Sequence, residues 1–391
     1  MTYEQELAYL ADVVESPCRD WIAVTDTLGS DYNPDSIRKA YACTKYGGYA
    51  VYKYFMSKPE NTSSEEERLR MEELQDTFYK ERIKYADKLR EYRNKLREES
   101  RFENLKDTMV DVLMEAEQFP IEIKPYVDYA TKASRTGILV LSDIHYGLEV
   151  DNQVNFYNVE VARERLYKVA NRAIQICREQ SIAHLNVCLL GDIVNGIINI
   201  SNRIEQEEDI MTQIIESGKL LSEVISYIAS NVSSVSVYTV WGNHARIPSV
   251  NASKKSDTVN RENLERLIYH YIKTVLPDEI KVITSMNDDY LYVTIGGRKV
   301  LLEHGDKGSK TNPVLDYVTI LGDKPDLILR GHYHTYTSVN VNDTVVITNG
   351  SLIGTDNYAL SIRQHTKASQ TMIVLDAEYP LDTQSYELVV D

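Results

Sequence analysis

The sequence predicts a layered α/β domain that follows an all-helical N-terminal module. The chain has 391 residues, more than the roughly 250 to 300 that a single hydrophobic core usually holds. Strand patterns are almost absent before about residue 135, and after it short apolar strands alternate with helical patterns. We therefore expect three parts: a helical segment over 1–60, a long helix and linker over 61–135, and the α/β domain over 136–391.

The first segment has the pattern of two helices around a turn. Apolar residues recur at steps of three and four from Leu7 to Val14, which predicts a first helix that ends near Gly29. Asn33-Pro34-Asp35 is typical of the start of a second helix. Two short helices about a glycine-containing turn indicate a helix-turn-helix that binds DNA, and equally any pair of packed helices. Both interpretations stay open.

The next stretch, from Ser63 to about Met114, is dense in charge and opens on Ser-Ser-Glu-Glu-Glu, which suits a helix N-terminus. Its apolar residues recur at steps of three, four or their sums, so we expect a long amphipathic helix that suits a coiled coil and a homodimer. Lys80–Arg101 holds nine basic and five acidic residues. This part is either a solvated face with salt links or a strip that contacts phosphates or a partner.

The composition, with 43% hydrophobic and 26% charged residues, is that of a soluble globular protein. No apolar run approaches the roughly 18 residues of a membrane span, and the N-terminus lacks a signal-peptide pattern, so we expect a cytoplasmic protein that contacts no membrane.

The four cysteines form no CxxC pair, which argues against a zinc ribbon. The net charge of -16 argues against nucleic-acid binding through bulk basicity. Nucleic acid stays open as a substrate, because a metal site supplies local positive charge.

Each predicted strand at the centre of the α/β domain ends in residues that can bind a metal ion. The runs ILVLSDIH, VCLLGDIVN, VYTVWGNH, VLLEHGD and LILRGHYH end in Asp143 and His145, in Asp192, in Asn243 and His244, in His304, and in His332 and His334. The carboxyl ends of neighbouring strands in an open α/β sheet meet in one crevice, so we expect these side chains to converge.

Carboxylate, amide and imidazole groups in this number suit two divalent ions about 3.5 to 4 Å apart that hydrolyse a phosphate ester. A hydroxide shared by the ions would attack phosphorus in line with the leaving group, and one further imidazole would protonate the leaving oxygen. Histidine and carboxylate are ligands for several metals. We expect manganese, with zinc, iron, nickel or magnesium as alternatives.

The motif order DxH, GD, GNH, H and GHxH is similar to that of the calcineurin-like metallophosphoesterase superfamily. The resemblance implies that 136–391 is a metallophosphoesterase domain, a β-sandwich flanked by helices. It implies these metal ligands: Asp143, His145 and His334 for one ion, Asn243, His304 and His332 for the other, and Asp192 as the bridge. It also implies that His244 contacts the scissile phosphate and serves as the leaving-group acid, with Asn243 or a nearby acidic residue orienting it.

Departures from the protein phosphatases of this superfamily narrow the substrate class. GNH is followed by Ala245 in place of glutamate, and GD is followed by Ile-Val-Asn-Gly, without the arginine of Ser/Thr protein phosphatases. The paired histidines of GHYH are instead similar to those of phosphodiesterases and SbcD-like nucleases. The N-terminal helices, GNHAR and NGSLIGTDNYA resemble phage- and prophage-encoded members that are DNA-repair-exonuclease-like. A phage-encoded protein would work in the bacterial host cytoplasm.

Side chains beside the ligand motifs are candidates for substrate binding. Arg246 follows GNHA and Lys307 follows HGD, so either can bind non-bridging phosphate oxygens, although surface positions explain both equally. Tyr146 and Tyr333 are candidates for stacking on a base. Chance placement explains the two tyrosines nearly as well, because the chain has 28 of them.

Three functions remain open at this stage. The leading hypothesis is a metal-dependent phosphodiesterase, a nuclease that acts on DNA. A phosphatase or a small-nucleotide phosphodiesterase is the alternative, with the helical module only covering the site. A binding or scaffold protein with an inactive site is the third, and the complete set of ligands argues against it.

Overall fold

The computed structural model describes two compact units, Met1–Phe102 and Glu103–Asp391. The domain boundaries expected at residues 60 and 135 stay predictions. The described residues are 9–10, 12–13, 20–28, 34, 38, 65–118, 121, 123, 135–198, 204–247, 262–285, 290–376, 378 and 383–391. Within them, no helix is both long enough and apolar enough to cross a membrane.

The first unit contains helix α1 (Trp21–Leu28). The Asp20 carboxylate accepts hydrogen bonds from two amides of the first turn of α1, at 3.0 and 3.2 Å, as a helix N-cap does. Val24 of this helix and Leu10 are each 2% exposed and form a small apolar cluster. Asp20 is not helical, so the prediction of one continuous first helix that ends near Gly29 is wrong: a separate helix begins at Trp21.

Helix α2 (Glu65–Gln118) lies where the charge-dense stretch predicts a long helix. It has 54 residues, and its length agrees with the many good helix formers and the acidic first turn. Most of the predicted helix-turn-helix lies outside the described residues, which include only Pro34 and Arg38 of the stretch between α1 and α2. DNA recognition by that element stays a prediction.

The second unit is built from two sheets, a short hairpin and flanking helices. Its strands are β1 (Arg135–Leu141), β2 (Val150–Asp151), β3 (Phe156–Tyr157), β4 (His184–Leu189), β5 (Ser234–Thr239), β6 (Lys281–Thr284), β7 (Tyr290–Ile295), β8 (Arg298–Glu303), β9 (Leu327–Arg330), β10 (Thr337–Val341), β11 (Thr344–Thr348), β12 (Ser369–Asp376) and β13 (Thr383–Val389). Its other helices are α3 (Val159–Glu179), α4 (Ile210–Ala229), α5 (Glu265–Val275), α6 (Pro313–Leu321) and α7 (Asn357–Ser361).

The sheets bring the ends of several parallel strands together. One sheet has the order β13-β12-β1-β4-β5-β6 and the other the order β10-β11-β9-β8-β7. Strands β1, β4, β5 and β6 are parallel to one another, as are β8, β9 and β11. The loops after these strands consequently leave from the same edge of each sheet, and they include all of the predicted ligand motifs.

Alternating side chains of the central strand β1 face two different cores. Ile138 and Val140 belong to a buried cluster with Leu302 of β8 and Leu329 of β9, so the two sheets pack face to face. Leu139 and Leu141 of β1 belong to a second cluster, with residues of α3, α4 and α5.

On the outer face of the other sheet, α6 contributes Val314 to a third cluster, with Ile328 of β9 and Val346 of β11. The order of layers is therefore helix, sheet, sheet, helix. This confirms the expected layered β-sandwich flanked by helices.

Candidate metal centre

The predicted ligands come together at one edge of the sandwich, in the loops that follow β1, β4, β5, β8 and β9. Their side-chain atoms form three overlapping groups: Asp143–His145–His334, His145–Asp192–His244 and Asp192–His304–His332. In each group the potential ligand atoms lie within 4.8 Å of one another. Asp192 belongs to two groups, as a residue that bridges two ions must.

Five of these residues have a left-handed backbone conformation, which non-glycine residues rarely adopt. They are Asp143 (φ 51°), His145 (φ 47°), Asp192 (φ 51°), His332 (φ 70°) and His334 (φ 56°). Each such residue costs on the order of 1 kcal/mol or more, and clusters of them occur where surrounding structure fixes a functional site. The chain turns sharply at each strand end and aims these side chains into the crevice.

Two glycines of the ligand motifs allow backbone to pass close to a carboxylate. A Cβ atom on Gly242 would lie 2.2 Å from Asp192 Oδ1, and one on Gly331 would lie 2.5 Å from Asp143 Oδ2. Neither position has room for a side chain, because the backbone of Asp192 is as close to the first Cβ atom and the side chain of Ser142 is nearly as close to the second. The glycines of GNH and GHYH are therefore part of the packing around the candidate ligands.

The first group has its nitrogen and oxygen atoms facing one another. His145 Nε2 lies 3.2 Å from His334 Nε2, and His334 Nε2 lies 3.3 Å from Asp143 Oδ1. Asp143 is fully buried, and both of its carboxylate oxygens lie 3.0 Å from the amide of His332, which fixes the side chain. Burial, followed by the adjacent His244, lowers the pKa of His145 well below its usual value. A buried neutral imidazole with this low pKa is suited to bind a metal through its lone pair.

The second group converges on His304, which is 1% exposed. Its Nδ1 lies 2.8 Å from the carbonyl oxygen of Leu190 and donates to it. Its Nε2 lies 3.0 Å from Asp192 Oδ2 and 3.0 Å from Asn243 Oδ1. His332 joins this group, with its ring centroid 5.1 Å from that of His304.

The chemistry of this donor set fits a cation. Because His304 Nδ1 donates to a carbonyl, the neutral ring presents a lone pair at Nε2, and the two neighbouring oxygen atoms also present lone pairs. Burial alone would lower the pKa of His304, but the Asp192 carboxylate raises it to about 10. Burial alone would raise the pKa of Asp192, but the nearby His304 and His244 lower it well below its usual value. A positive charge is favourable where these atoms meet, and a bound divalent ion would supply it.

His244 lies at the mouth of the cluster, and its side chain is 22% exposed. Its Nδ1 lies 2.9 Å from the carbonyl oxygen of Asn195, to which it donates, and its Nε2 lies 3.9 Å from Asp192 Oδ2. Its ring centroid is 4.3 Å from that of His145. The ring is thus held through one nitrogen, and the other nitrogen is directed towards the candidate ligands. Its predicted role as an acid stays a prediction.

A buried polar network that sequence reasoning missed orients Asp143. The Ser142 hydroxyl donates to Asp143 Oδ2 at 2.5 Å and accepts from the Asn349 side-chain amide at 2.9 Å. Gln370 accepts from the amide of Ser142 at 2.9 Å, and Thr371 donates to Asn349 Oδ1 at 2.7 Å. Such hydrogen bonds fix the direction of a ligand carboxylate.

Glu265, at the start of α5, is a second residue that sequence reasoning missed. Its side chain is fully buried and accepts hydrogen bonds from the amides of Ile193 and Gly242, each at 2.7 Å. These amides directly follow Asp192 and directly precede Asn243, so one carboxylate joins the two loops that flank the bridge. Burial, followed by the nearby Asp192, raises the pKa of Glu265 to about 7.

Removing this connection is expected to weaken metal binding. In Glu265→Ala two buried amides lose their acceptor, and each unsatisfied group costs about 1 to 3 kcal/mol. Glu265→Gln keeps the shape but turns an N–H group towards one of the two amides. We expect both variants to lower the affinity for Mn²⁺ by about 10- to 100-fold, the usual effect of losing such a supporting contact.

Titration calorimetry with Mn²⁺ measures this effect, and thermal unfolding of the metal-free variants separates it from loss of fold. Glu279→Gln, a change of an exposed glutamate in the same unit, is the matched control. An Mn²⁺ affinity of Glu265→Gln equal to that of the control would contradict a positioning role for Glu265.

The two basic residues proposed to bind substrate have different surroundings. Arg246 is paired with Asp306, with Nη1 to Oδ2 at 2.6 Å, and its side chain is 16% exposed. Its Nε is buried without a hydrogen-bond partner. Lys307 is exposed on the loop that follows His304. Arg246 therefore already has a carboxylate partner, and both substrate-binding roles stay predictions.

The two tyrosines beside the motifs are also placed differently. Tyr146 is 7% exposed and belongs to the hydrophobic core, so the suggestion that it stacks on a base is wrong. It follows a left-handed residue in the loop after β1, and this conformation turns its ring inward. Tyr333 is only partly buried, and its ring contacts that of His332, with centroids 5.3 Å apart.

Comparison with known families identifies one domain over most of the second unit. Residues 137–378 match the family described as the calcineurin-like phosphoesterase superfamily domain, and this range includes every candidate ligand. A segment of 251 residues is 20% identical to the SPbeta prophage-derived uncharacterized protein YonJ of Bacillus subtilis (strain 168). The match covers 62% of this chain and 62% of that protein, so it spans less than two thirds of the relative's length.

Several solved structures are similar at low sequence identity. A structure described as a novel archaeal phosphodiesterase is 16% identical, with a TM-score of 0.33, over 64% of this chain and 99% of that chain. The hypothetical protein PH1004 from Pyrococcus horikoshii OT3 is 14% identical, with a TM-score of 0.34, over 66% of this chain and 89% of that one. Zinc-complexed Vps29 from Entamoeba histolytica is 12% identical, with a TM-score of 0.28, over 64% and 99% of the two chains.

Proposed function

Because the chain belongs to the calcineurin-like phosphoesterase superfamily of metal-dependent phosphoester hydrolases, we propose that it hydrolyses phosphodiester bonds of DNA with two divalent ions. The observation that carries this proposal is the position of Asp192, which lies within ligand distance of two separate sets of histidines. A carboxylate with imidazoles on both sides is suited to bridge a pair of ions.

The residues divide between two ions as follows. Asp143, His145 and His334 would hold one ion, and Asn243, His304 and His332 would hold the other, with Asp192 shared. Bound ions supply Lewis acidity that activates a water molecule and offsets the charge on the phosphoryl oxygens. The mixture of imidazole, carboxylate and amide oxygen suits manganese, which we infer as the working metal.

The chain itself would supply the proton for the leaving group. His244 donates through Nδ1 to the carbonyl oxygen of Asn195, and this contact fixes the orientation of the ring. Its Nε2 can then give a proton to the oxygen that leaves phosphorus. Asn243, directly before it, has its amide held by Asp192 Oδ1 at 2.8 Å, as does His244 itself, so the GNH loop is fixed against the bridge.

Three features support a nucleic-acid diester as substrate. The residue after GNH is Ala245 and no arginine directly follows GD, unlike in protein phosphatases. Arg246 is paired with Asp306 and is not placed as an isolated cation for a protein phosphate. The segment Lys80–Arg101 of α2 carries nine basic and five acidic residues in an otherwise acidic chain, which suits contact with phosphates.

Helix α2 also has features that suit pairing with a second copy of the chain. Tyr85, Leu89, Tyr92 and Leu96 are 66%, 37%, 60% and 44% exposed. Their spacing of four, three and four residues places them on one stripe of the helix, as in a coiled-coil seam. We infer that α2 pairs subunits through this stripe, with the charged residues beside it facing solvent or DNA.

A panel of metals and substrates tests the proposed function. The full chain is treated with a chelator and then given Mn²⁺, Zn²⁺, Ni²⁺ or Mg²⁺, with labelled DNA, bis-p-nitrophenyl phosphate, p-nitrophenyl phosphate and cyclic nucleotides as substrates. We expect chelation to abolish hydrolysis, Mn²⁺ to restore it, and both diesters, DNA included, to be cleaved in preference to the monoester. Mn²⁺ at about 100 times its dissociation constant should also stabilise the fold by about 2.7 kcal/mol.

Other results identify the alternatives. Monoester hydrolysis without DNA cleavage would indicate a phosphatase, and hydrolysis of cyclic nucleotides alone would indicate a small-nucleotide phosphodiesterase. If Mn²⁺ binds and stabilises the protein but no substrate is hydrolysed with any of the four metals, the proposal is wrong and a binding role remains.

A further inference from the structure

Tyr333, the residue between the candidate ligands His332 and His334, lies beside two cationic side chains. The Lys310 ammonium is 4.8 Å from the centre of the Tyr333 ring, and the Arg330 guanidinium carbon is 4.9 Å from it. The same ring contacts His332. Two cations therefore lie against one ring directly beside the candidate ligands, in a protein with a net charge of -16.

Arg330 fixes the loop that carries Lys310. It is only 6% exposed at the end of β9, and its guanidinium donates to the carbonyl oxygens of Lys310 at 2.8 Å and Ser309 at 3.4 Å. Its Nε donates to the Thr348 hydroxyl at 3.1 Å. Because a buried cation is costly unless it is well hydrogen-bonded, these contacts hold the loop in one position.

The other side of the loop is anchored by α6. Asp316 Oδ2 accepts a hydrogen bond from the amide of Ser309 at 2.6 Å, and the Ser309 hydroxyl accepts from the amide of Asn312 at 3.0 Å. Gly308 has φ 74°, and a Cβ atom there would lie 2.8 Å from Asp316 Oδ2. The loop is thus held from both sides by contacts that use its backbone.

Within the part of the chain that the structure describes, no carboxylate neutralises the charge of Lys310. The side chain is exposed, and among the described residues no acidic group forms an ion pair with its ammonium. Its position is nevertheless restricted, because the backbone around it is anchored and its ammonium lies over an aromatic ring. An exposed cation with a restricted position loses little entropy when it binds an anion.

We propose that Lys310 and Tyr333 form a second phosphate subsite, which binds the phosphate that flanks the scissile diester in an oligonucleotide strand. This rests on the proposed function, in which the scissile phosphate occupies the metal centre. The Tyr333 ring contacts both the Lys310 ammonium and His332, so the subsite adjoins the metal centre and would bind a neighbouring phosphate of the strand. Arg330 is a positioning residue for this subsite. The substrate class is therefore an oligonucleotide with several successive phosphates, and not a molecule with one isolated diester.

Lys310→Ala tests the subsite in the full-length protein with Mn²⁺. The anchor of the loop uses the carbonyl oxygen of Lys310, so the substitution leaves that contact in place. We expect KM for a single-stranded oligonucleotide to rise about 5- to 10-fold with kcat unchanged, and kinetics with bis-p-nitrophenyl phosphate, which has one phosphate, to stay the same. The slope of log KM against log salt concentration should fall by about 0.7, the effect of losing one contact to a single strand.

Two further variants sharpen the result. Lys310→Arg keeps the charge and should retain most of the affinity, and Lys168→Ala removes an exposed lysine from α3 as a matched control. An unchanged KM and salt slope for the oligonucleotide in Lys310→Ala would overturn the subsite and leave the proposed function intact. Equal losses on both substrates would also overturn it, because Lys310 would then act on the scissile phosphate. If the unmutated protein hydrolyses the small diester but neither binds nor cleaves the oligonucleotide, the subsite and the DNA substrate both fail.

Discussion

Asp192→Asn is expected to lower kcat/KM for every phosphodiester by about 10³-fold or more, because several kcal/mol of transition-state stabilisation depend on the paired ions. Asn keeps the size of the side chain, and its oxygen can still accept the amides of Asn243 and His244, which now lie 2.8 Å from Asp192 Oδ1. The side-chain nitrogen of the new Asn would then take the place of Asp192 Oδ2, which lies 3.0 Å from His304 Nε2. An amide N–H there has no lone pair for a metal and no charge to offset two cations.

Metal stoichiometry and kinetics measure this effect together. We expect fewer than two bound Mn²⁺ ions per chain in Asp192→Asn, with loss of hydrolysis of bis-p-nitrophenyl phosphate and no change in circular dichroism. Asp323→Asn is the matched control, because Asp323 is an exposed aspartate that pairs with Lys299 at 2.8 Å. A variant that still binds two ions and retains activity near that of the control would show that Asp192 does not bridge.

The positions of the candidate ligands could be predicted from the sequence because each directly follows an apolar strand. Asp143 follows β1 and Asp192 follows β4, and parallel pairing of these strands brings the two turns together. The periodicity of apolar residues does not show the left-handed conformation of these turns, since φ values of 51° at two aspartates have no pattern of their own. The convergence was therefore predictable, and the way the backbone achieves it was not.

Glu265 shows a second limit of sequence reasoning. It lies 73 positions beyond Asp192 in the chain, at the start of a helix, where an acidic residue ordinarily indicates a favourable interaction with the helix dipole. Its burial and its contacts to Ile193 and Gly242 depend on how α5 packs against β4 and β5. No local pattern distinguishes such a glutamate from a solvent-exposed one.

The second sheet was predicted less completely than the first, for a physical reason. Strands β8 and β9 are buried at nearly every position and have apolar centres, Val300–Leu302 and Leu327–Leu329, whereas β10 (Thr337–Val341) is an edge strand that is exposed at most positions. An edge strand that buries few side chains has little need for apolar residues. Helix α6 was missed as well, although Asn312 and Pro313 form a typical helix start.

His244→Ala is expected to lower kcat by about 10²- to 10⁴-fold for DNA, the usual contribution of a general acid, and by much less for bis-p-nitrophenyl phosphate. The difference follows from the leaving groups. A deoxyribose alkoxide is a strong base that needs a proton as the bond to phosphorus breaks, whereas p-nitrophenolate leaves readily without one. The His244 side chain is also more exposed than that of Asp192, 22% against 1%, as suits a group that meets the substrate at the mouth of the cluster.

The dependence of kcat on leaving-group pKa, measured with a series of aryl diesters, distinguishes this role from metal binding. The unmutated enzyme should show a shallow dependence and His244→Ala a steep one, with the same Mn²⁺ affinity in both. A uniform loss on all diesters together with weaker Mn²⁺ binding would instead assign His244 to the metal, as the group His145–Asp192–His244 also permits. His270→Ala removes an exposed histidine of α5 and controls for the loss of an imidazole. The slope of kcat against leaving-group pKa steepens in His244→Ala under the first outcome and is unchanged under the second, so the series distinguishes a proton donor from a metal ligand.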